Sequence, residues 1–320
     1  MRPPRSMPNH AIASTSIDEF HEVLRTSKRI VALCGAGLSA ASGLDTFRGA
    51  GGMWRNYQAT SLATPEAFEK DPGLVWLFYG YRRHKALQAK PNMGHFALAE
   101  LAKKKGDGFM CITQNVDGLS QRTPHPRSQL KLIHDTLFDL KCFSCDYREI
   151  DNFNDPVHPS LTIDDESVTA RLAGASTNPF HNRIAFLDPA TPQTIDPAEL
   201  PHCPKCTHGL LRPGVVWFGE SLPQDTLKEI DDWFDQDRVD LILVIGTSAA
   251  VYPAAGYVQI AKRHGARVAV VNMDKDSLGS ASNLRKTDFL FQGDAAELLP
   301  QMLGPIRDRR KASVKEVKFK

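Results

Sequence analysis

Six short apolar runs organise the chain: residues 30–34, 109–113, 130–133, 241–245, 268–271 and 289–291. Each is rich in branched aliphatic or aromatic side chains and lacks a polar alternate face, the pattern of strands buried on both faces of a parallel sheet. Each also stops on small or polar residues: Gly35-Ala36-Gly37-Leu38-Ser39, Gln114-Asn115-Val116-Asp117, His134, Gly246-Thr247-Ser248, Asn272, and Gly293-Asp294-Ala295. A parallel sheet collects its carboxyl ends on one edge, and ligands bind there. Between the first two runs, Pro65, Pro72 and Pro91 punctuate a helical stretch from about 64 to 105, with a helix expected over 72–89. Residues 146–202 are rich in Asp, Pro, Ser, Thr and Asn, and much of that segment is expected to be irregular loop.

The predicted fold is α/β: a Rossmann-like parallel-sheet large domain, assembled from 18–50, 106–135 and 215–303, with a smaller inserted domain. The insertions are a helical module, 51–105, and a zinc-binding module, 136–214; residues 1–17 and 304–320 are expected to be flexible tails. The cleft between the two parts is the natural site.

Composition narrows this little. At 320 residues and 42% hydrophobic content the chain can bury a sizeable core. A net charge of +2 offers no general field for nucleic acid, so no direct nucleic-acid partner is expected. No run approaches the roughly 18 apolar residues a bilayer span needs, and no membrane role is expected. Arg2 and Arg5, the lack of an acid before Asp18, and Ser14-Thr15-Ser16 resemble a mitochondrial transit segment weakly, and a floppy tail equally describes them. Localisation is therefore expected to be mitochondrial or cytoplasmic/nuclear, without secretion. The basic stretch 307–320 reads as a solvated tail or a nuclear-targeting segment.

The six cysteines separate by context. Cys34 and Cys111 lie inside apolar runs, as core thiols do. Cys142, Cys145, Cys203 and Cys206 form two pairs with the two-residue spacing that turns both thiolates of a knuckle toward one tetrahedral ion. Two disulfides would need an oxidising compartment, for which there is no secretory signal. One zinc ion is expected, and four thiolates leave no open coordination position, so its role is structural.

Gly35-Ala36-Gly37 after a strand and before a small-residue helix suits the close approach of a pyrophosphate to backbone amides. A hydride-transferring dehydrogenase would carry an acidic residue about 20 positions on to hold the ribose, and residues 46–65 contain neither Asp nor Glu. That class is disfavoured.

Taken together, Gly35-Ala36-Gly37 with Ser39, Ser42-Gly43, Phe47-Arg48-Gly49, Thr113-Gln114-Asn115-Val116-Asp117, His134, the four cysteines, Val216-Trp217-Phe218-Gly219-Glu220, Gly246-Thr247-Ser248 and Asn272 resemble the sirtuins, the NAD-dependent protein lysine deacylases. The motifs follow the family's order from about residue 30 to about 300. The resemblance implies that NAD is consumed as a co-substrate: the acyl-lysine amide oxygen attacks the ribose carbon bearing nicotinamide, and a histidine then serves as general base on a ribose hydroxyl. His134 matches that histidine, with an ordinary proton affinity near pH 6.5 expected; Asn115 is the second catalytic residue. The resemblance places Gly35, Ala36, Gly37, Ser39, Thr46, Phe47, Arg48, Gln114, Asn115, Asp117, Gly246, Thr247, Ser248, Asn272, Asp274 and Ala295 around the dinucleotide. Phe47 would cover the ribose after nicotinamide leaves, Arg48 would help order the cofactor loop, and Asn272, Asp274 and Ala295 would lie near the adenosine half. Asn115 and Asp117 also suit helix capping. Val216, Trp217, Phe218, Gly219 and Glu220 resemble the segment that pairs with a substrate backbone; Trp217 and Phe218 equally suit a core.

Tyr79 and Arg82, three apart on the expected helix, share one face, where a phenol beside a guanidinium fork suits a carboxylate. With Ala63-Thr64-Pro65 upstream, this pattern resembles the sirtuin branch that removes succinyl, malonyl and glutaryl groups, and the small Ala63 fits a roomy acyl pocket. The expected partners are therefore acylated lysine side chains of proteins, carrying succinyl, malonyl, glutaryl or, less favourably, acetyl groups. Without that context Arg82-Arg83-His84-Lys85 reads as a solvated basic face. Two positions depart from the family: Asp45 stands where proline is usual, loosening the cofactor loop, and Asp135 stands where glycine usually follows the histidine. If position 135 needs a positive φ, Asp tolerates it, and an inward carboxylate would raise the His134 proton affinity. The competing readings are an ordinary deacetylase, a mono-ADP-ribosyltransferase of the same fold, and a catalytically inactive NAD- or acyl-lysine-binding module.

Overall fold

The computed structural model describes residues 13–46, 53–54, 57–162 and 195–304. The expectations for Phe47, Arg48, most of the tails and residues 163–194 lie outside the described residues.

All six apolar runs are strands of one parallel sheet. In chain order, the strands are β1 (Ile30–Cys34), β2 (Met53–Trp54), β3 (Tyr57–Gln58), β4 (Phe109–Thr113), β5 (Leu130–Leu132), β6 (Leu140–Cys142), β7 (Arg148–Glu149), β8 (Leu211–Pro213), β9 (Leu241–Ile245), β10 (Arg267–Asn272) and β11 (Phe289–Gln292). The large sheet has the order β11-β10-β9-β1-β4-β5, every pair parallel. Chain order reverses at β1, so the β1/β9 carboxyl ends are the topological switch point where doubly wound sheets bind ligands.

Alternation along β1 shows how the runs are used. Ile30, Ala32 and Cys34 enter a core with helices Ile17–Thr26, Met93–Lys105 and Ala295–Met302. Val31 and Leu33 enter the opposite core, with helices Gln224–Gln236 and Gly256–Arg263. Both faces are covered, hence the absence of polar alternation in sequence. Cys34 and Cys111 are buried core thiols, their sulfurs 3.7 Å apart.

A third core is built around helix Pro72–Gln88, with Trp76, Phe78 and Tyr79 packed against Phe138, Leu140, Leu211 and Trp217. Asp71 starts this helix by accepting from the Leu74 amide at 2.9 Å, with Pro72 in the first turn. The antiparallel sheet β7-β6-β8 carries the cysteine knuckles beside it.

Three expectations differ from this packing. Helix Met93–Lys105, grouped by sequence with the small module, places Ala97, Leu98, Leu101 and Ala102 in the sheet's own core. Val215 and Trp217, grouped with the large domain, belong to the third core. Ser14, assigned to a flexible tail, bridges to Phe289 and extends the β11 edge. In each case the grouping followed chain position, whereas burial follows the nearest apolar face.

The run Arg82-Arg83-His84-Lys85 is solvated only at Lys85, which is exposed; Arg82 and His84 are half-buried. Arg83 is 1% exposed; it donates to the carbonyls of Leu137, Asn152 and Asn154, and its guanidinium lies 5.4 Å from the Phe138 ring. His84 pairs with Asp155 at 2.7 Å. Among the described residues no helix is long and apolar enough to cross a membrane.

Candidate active site

Two glycine-bearing loops meet closely at the switch point. Gly35 donates to the Ile245 carbonyl at 2.9 Å and Gly37 to the Gly246 carbonyl at 2.8 Å. A Cβ on Gly37 would sit 2.7 Å from the Gly246 Cα, and Gly246 itself has φ +56°. The sequence explanation of these glycines therefore changes. Their amides are committed to the neighbouring loop, and hydrogen is required at both positions because Gly35 faces the Thr247 Cβ and the Gly246 carbonyl while Gly37 faces the Gly246 backbone. The helix after them, Gly37–Ala40, is a single turn, so it adds little dipole.

From this junction the polar side chains interlock. Gln114 donates to the Thr247 hydroxyl at 3.1 Å, and Asn272 donates to the Thr247 carbonyl at 3.0 Å. Asn115 spends its amide nitrogen on the Gly35 carbonyl, 3.0 Å, and the Ser39 hydroxyl, 3.2 Å. The Ser39 hydroxyl donates to Asp117 at 2.6 Å, while the other Asp117 oxygen accepts from the Leu119 amide at 2.9 Å. Asp117 therefore caps no helix: the turn Ser120–Arg122 begins from Leu119 without a side-chain cap, and the Leu119 contact closes a local turn before it. Ser248 follows in the Gly246 loop. Asp274 is exposed and accepts from the Asp276 amide, while Ala295 is buried at the start of its helix.

His95 joins this group, and sequence reading passed over it because a lone histidine in a helix carries no spacing signal. Its Nδ1 accepts from the Asn92 amide at 3.2 Å, which leaves the proton of a neutral ring on Nε2, 3.5 Å from the Ser39 oxygen. Burial pushes this imidazole down to about 4, so it is neutral at physiological pH.

His134 sits in the turn after β5 and is half-buried. Its Nδ1 lies 3.0 Å from the Gln114 carbonyl oxygen. A carbonyl only accepts, so Nδ1 carries the hydrogen, and in the neutral ring Nε2 keeps its lone pair. Burial lowers the proton affinity below its ordinary value, against the opposing pull of the Gln114 carbonyl and the Asp135 charge. This corrects the expectation of an unperturbed imidazole: Asp135 does act upward, and burial outweighs it. Position 135 has φ +56°, the conformation for which glycine or Asp is suited.

Tyr79 is a member of the third core, and Arg82 follows it one turn on along the same helix. Tyr79 is 1% exposed, its ring 6.1 Å from that of Trp217; burial pushes the phenol well up, so it remains a donor. Burial lowers the Arg82 affinity, with Tyr79, Asp45 and Asp117 acting in the opposite direction. A guanidinium so placed stays charged at neutral pH. Ala63 is buried, and its carbonyl accepts from the Phe218 amide at 2.9 Å.

The segment 216–220 is a turn and not a strand. Val216 donates to the His134 carbonyl at 3.1 Å, Trp217 donates to Glu220 at 2.8 Å, and Glu220 donates back to the Trp217 carbonyl at 3.0 Å. Glu220 also accepts from Arg212 at 2.6 Å, and the Arg212 guanidinium stacks 3.7 Å over Trp217. Trp217 is thus core, Glu220 is turned back on its own loop, and Phe218 remains 44% exposed. Gly219, at φ +90°, makes the turn.

The sulfurs of Cys142, Cys145, Cys203 and Cys206 all lie within 4.8 Å of one another, with 3.7 Å between Cys142 and Cys206 and between Cys145 and Cys203. All four are free thiols, so no disulfide forms. A tetrahedron with Zn–S bonds of about 2.3 Å has edges of about 3.8 Å, and the cluster fits it. Ser144 and Lys205 donate their amides to the sulfurs of Cys142 and Cys203 at 3.3 and 3.4 Å, contacts that orient the sulfurs and would favour thiolates.

A family model described as the Sir2 family matches residues 35–253. An NAD-dependent protein deacylase of Candida albicans is 48% identical over 300 residues, covering 91% of this chain and 97% of that protein. The dog (Canis lupus familiaris) protein named NAD-dependent protein deacylase sirtuin-5, mitochondrial, is 40% identical over 306 residues, covering 94% and 89%. Among solved structures, a Sir2 homologue in complex with NAD is similar at a TM-score of 0.72 and 33% identity, covering 95% of this chain and 98% of that one. A Sir2 complex with a p53 peptide and NAD+ is similar at 0.63 and 26%, covering 91% and 98%.

Proposed function

The chain belongs to the Sir2 family, and from that premise we propose that His134 is the general base of an NAD-consuming deacylation and that Tyr79 and Arg82 select acidic acyl groups. The protein is an NAD-dependent protein deacylase with acylated lysines of proteins as substrates and one structural zinc held by its four-cysteine cluster. Zinc there supplies cross-linking of two hairpins and takes no part in the chemistry.

The observation that carries the mechanism is the His134 tautomer. With Nδ1–H held by the Gln114 carbonyl, Nε2 is the basic atom of an imidazole that burial keeps neutral. After the acyl oxygen has attacked the ribose carbon and nicotinamide has departed, Nε2 takes the proton from a ribose hydroxyl. That hydroxyl oxygen then attacks the acyl carbon. The lysine nitrogen takes up a proton and leaves the acyl carbon as free amine, and one water adds to that carbon, so the products are nicotinamide, O-acyl-ADP-ribose and free lysine. Asn115 is held by Gly35 and Ser39 with its amide oxygen toward no described partner, which suits it to orient the ribose or water. Gln114, Asp117, Thr247, Ser248, Asn272 and Asp274 line the strand ends that would hold the dinucleotide, from the nicotinamide ribose to adenosine. Phe218 is the exposed member of the 216–220 turn and would meet the substrate peptide.

The acidic preference rests on a protonated phenol and a charged, part-buried guanidinium three residues apart on one helix face. Succinyl, malonyl and glutaryl share the terminal carboxylate such a pair recognises. Arg82→Met is expected to lower kcat/KM for a succinyl-lysine peptide about a hundredfold, the loss of a charge-assisted contact, and to leave deacetylation nearly intact. Equal losses on both peptides would refute the assignment. We also propose a mitochondrial location, which the dog relative, named a mitochondrial sirtuin-5, and the acid-free segment before Asp18 support.

A further inference from the structure

Asp135 is the residue at which this chain departs from the family next to the proposed base, and its surroundings are built. The carboxylate is 3.0 Å from Arg148, which also holds Asp139 at 2.7 Å through Nη2 and at 3.2 Å through Nε. Asp139 in turn accepts from the Asp151 amide at 3.1 Å. Arg148 lies in β7, directly opposite Lys141 on the hairpin that bears Cys142 and Cys145. The His134 carbonyl accepts from Val216, and its ring is held by Gln114. The histidine is therefore fastened from the cofactor loop, from the 216–220 turn and, through its neighbour's side chain, from the cysteine hairpin.

We propose that Asp135 and Arg148 are a positioning pair for the general base: Asp135 keeps a negative charge one residue from His134, and Arg148 fixes where that charge sits. This rests on His134 being the base. Other charged groups at this corner, among the described residues, are Asp139, Lys141 in β6, and Arg212 in β8, which is paired with Glu220. Asp135 is the one that acts directly on the imidazole, in the direction that raises its affinity. Arg148 is itself exposed, and its contacts to both carboxylates restrict where the Asp135 charge sits, whereas a free carboxylate in that turn would average over solvent.

The test is the acid limb of the kcat/KM profile. Asp135→Asn keeps the tolerance for positive φ and removes only the charge; the limb should move to lower pH by roughly half to one unit. Arg148→Lys keeps the positive charge and loses the fork that holds both carboxylates, so the limb should move in the same direction by a smaller amount. The double variant should go no further than Asp135→Asn, and thermal melting of all three identifies any that fails to fold. Same-direction shifts with that ordering support the pair; an unmoved limb in Asp135→Asn, or an Arg148→Lys limb that stays with the parent or moves to higher pH, overturns it. His134→Ala separates the two levels of argument. If that variant keeps most of its activity, the base assignment fails. If it is inactive while the limb of Asp135→Asn stays put, only the pair fails.

Discussion

His134→Ala is expected to lower production of deacylated lysine by about a hundred- to ten-thousandfold, the usual contribution of a positioned general base. The same variant should still exchange labelled nicotinamide into NAD in the presence of an acylated peptide. The split follows from the order of events: bond breakage at the ribose carbon needs the acyl oxygen and a bound dinucleotide, while the imidazole is needed only afterwards. Mass spectrometry of the peptide and radiochemical exchange on the same preparation check both halves. If deacylation and exchange are lost together, His134 acts in binding or folding, and the assignment made from its Nδ1 contact to Gln114 is wrong. In the parent enzyme, burial lowers the His134 affinity, so the acid limb of kcat/KM is expected below the ordinary histidine value, with the neutral base present above it.

The second large effect concerns metal. Structural zinc contributes roughly 10–16 kcal/mol to the folding of isolated zinc-binding peptides at neutral pH, comparable to the entire stability of a domain, about 5–15 kcal/mol. Cys142 and Cys203 are buried in the third core, which also holds Trp76, Tyr79 and Trp217. Cys203→Ser, or treatment with a strong chelator, should therefore release one zinc per chain and melt that core at a much lower temperature. The six-stranded sheet draws its burial from two other cores and should keep its far-ultraviolet signal. Activity should vanish, because Tyr79 belongs to the unfolded part and the hairpin that ends at Arg148 is fastened to the turn of His134. Full metal content and an unchanged melting temperature in Cys203→Ser would exclude the cluster as the binding site.

The sheet could be read from sequence because double-sided burial leaves unbroken apolar runs, and all six were found in one parallel arrangement. The cysteine cluster was equally legible, since two-residue spacing constrains geometry. Less visible were features that depend on what approaches from elsewhere in the chain. Nothing local to Gly35 and Gly37 tells that Gly246 packs against them, so their hydrogen side chains suggested a phosphate when they also serve a loop-to-loop contact. Arg83 sits in a run of four basic residues, yet carbonyls 54 to 71 positions away make it interior. His95 gains its role from Asn92 and Ser39, and Glu220 is claimed by Arg212 and its own loop, so neither side chain declares itself by residue type. Val216 to Glu220 has the composition of a strand and turns because the Glu220 side chain captures the Trp217 amide.

Arg82 and Arg83 are adjacent on one helix but belong to different neighbourhoods, the first beside Tyr79 and the second clasping the backbone at 137, 152 and 154. That clasp ties the helix to the backbone at 152–154. Lengthening or stiffening those residues is therefore expected to shift the relative kcat/KM for succinyl- and acetyl-lysine peptides while the residues proposed to meet substrate keep their identity. A search for variants with altered acyl preference is thus better begun at the buried Asn152 and its neighbour Asn154 than at Tyr79 and Arg82 themselves.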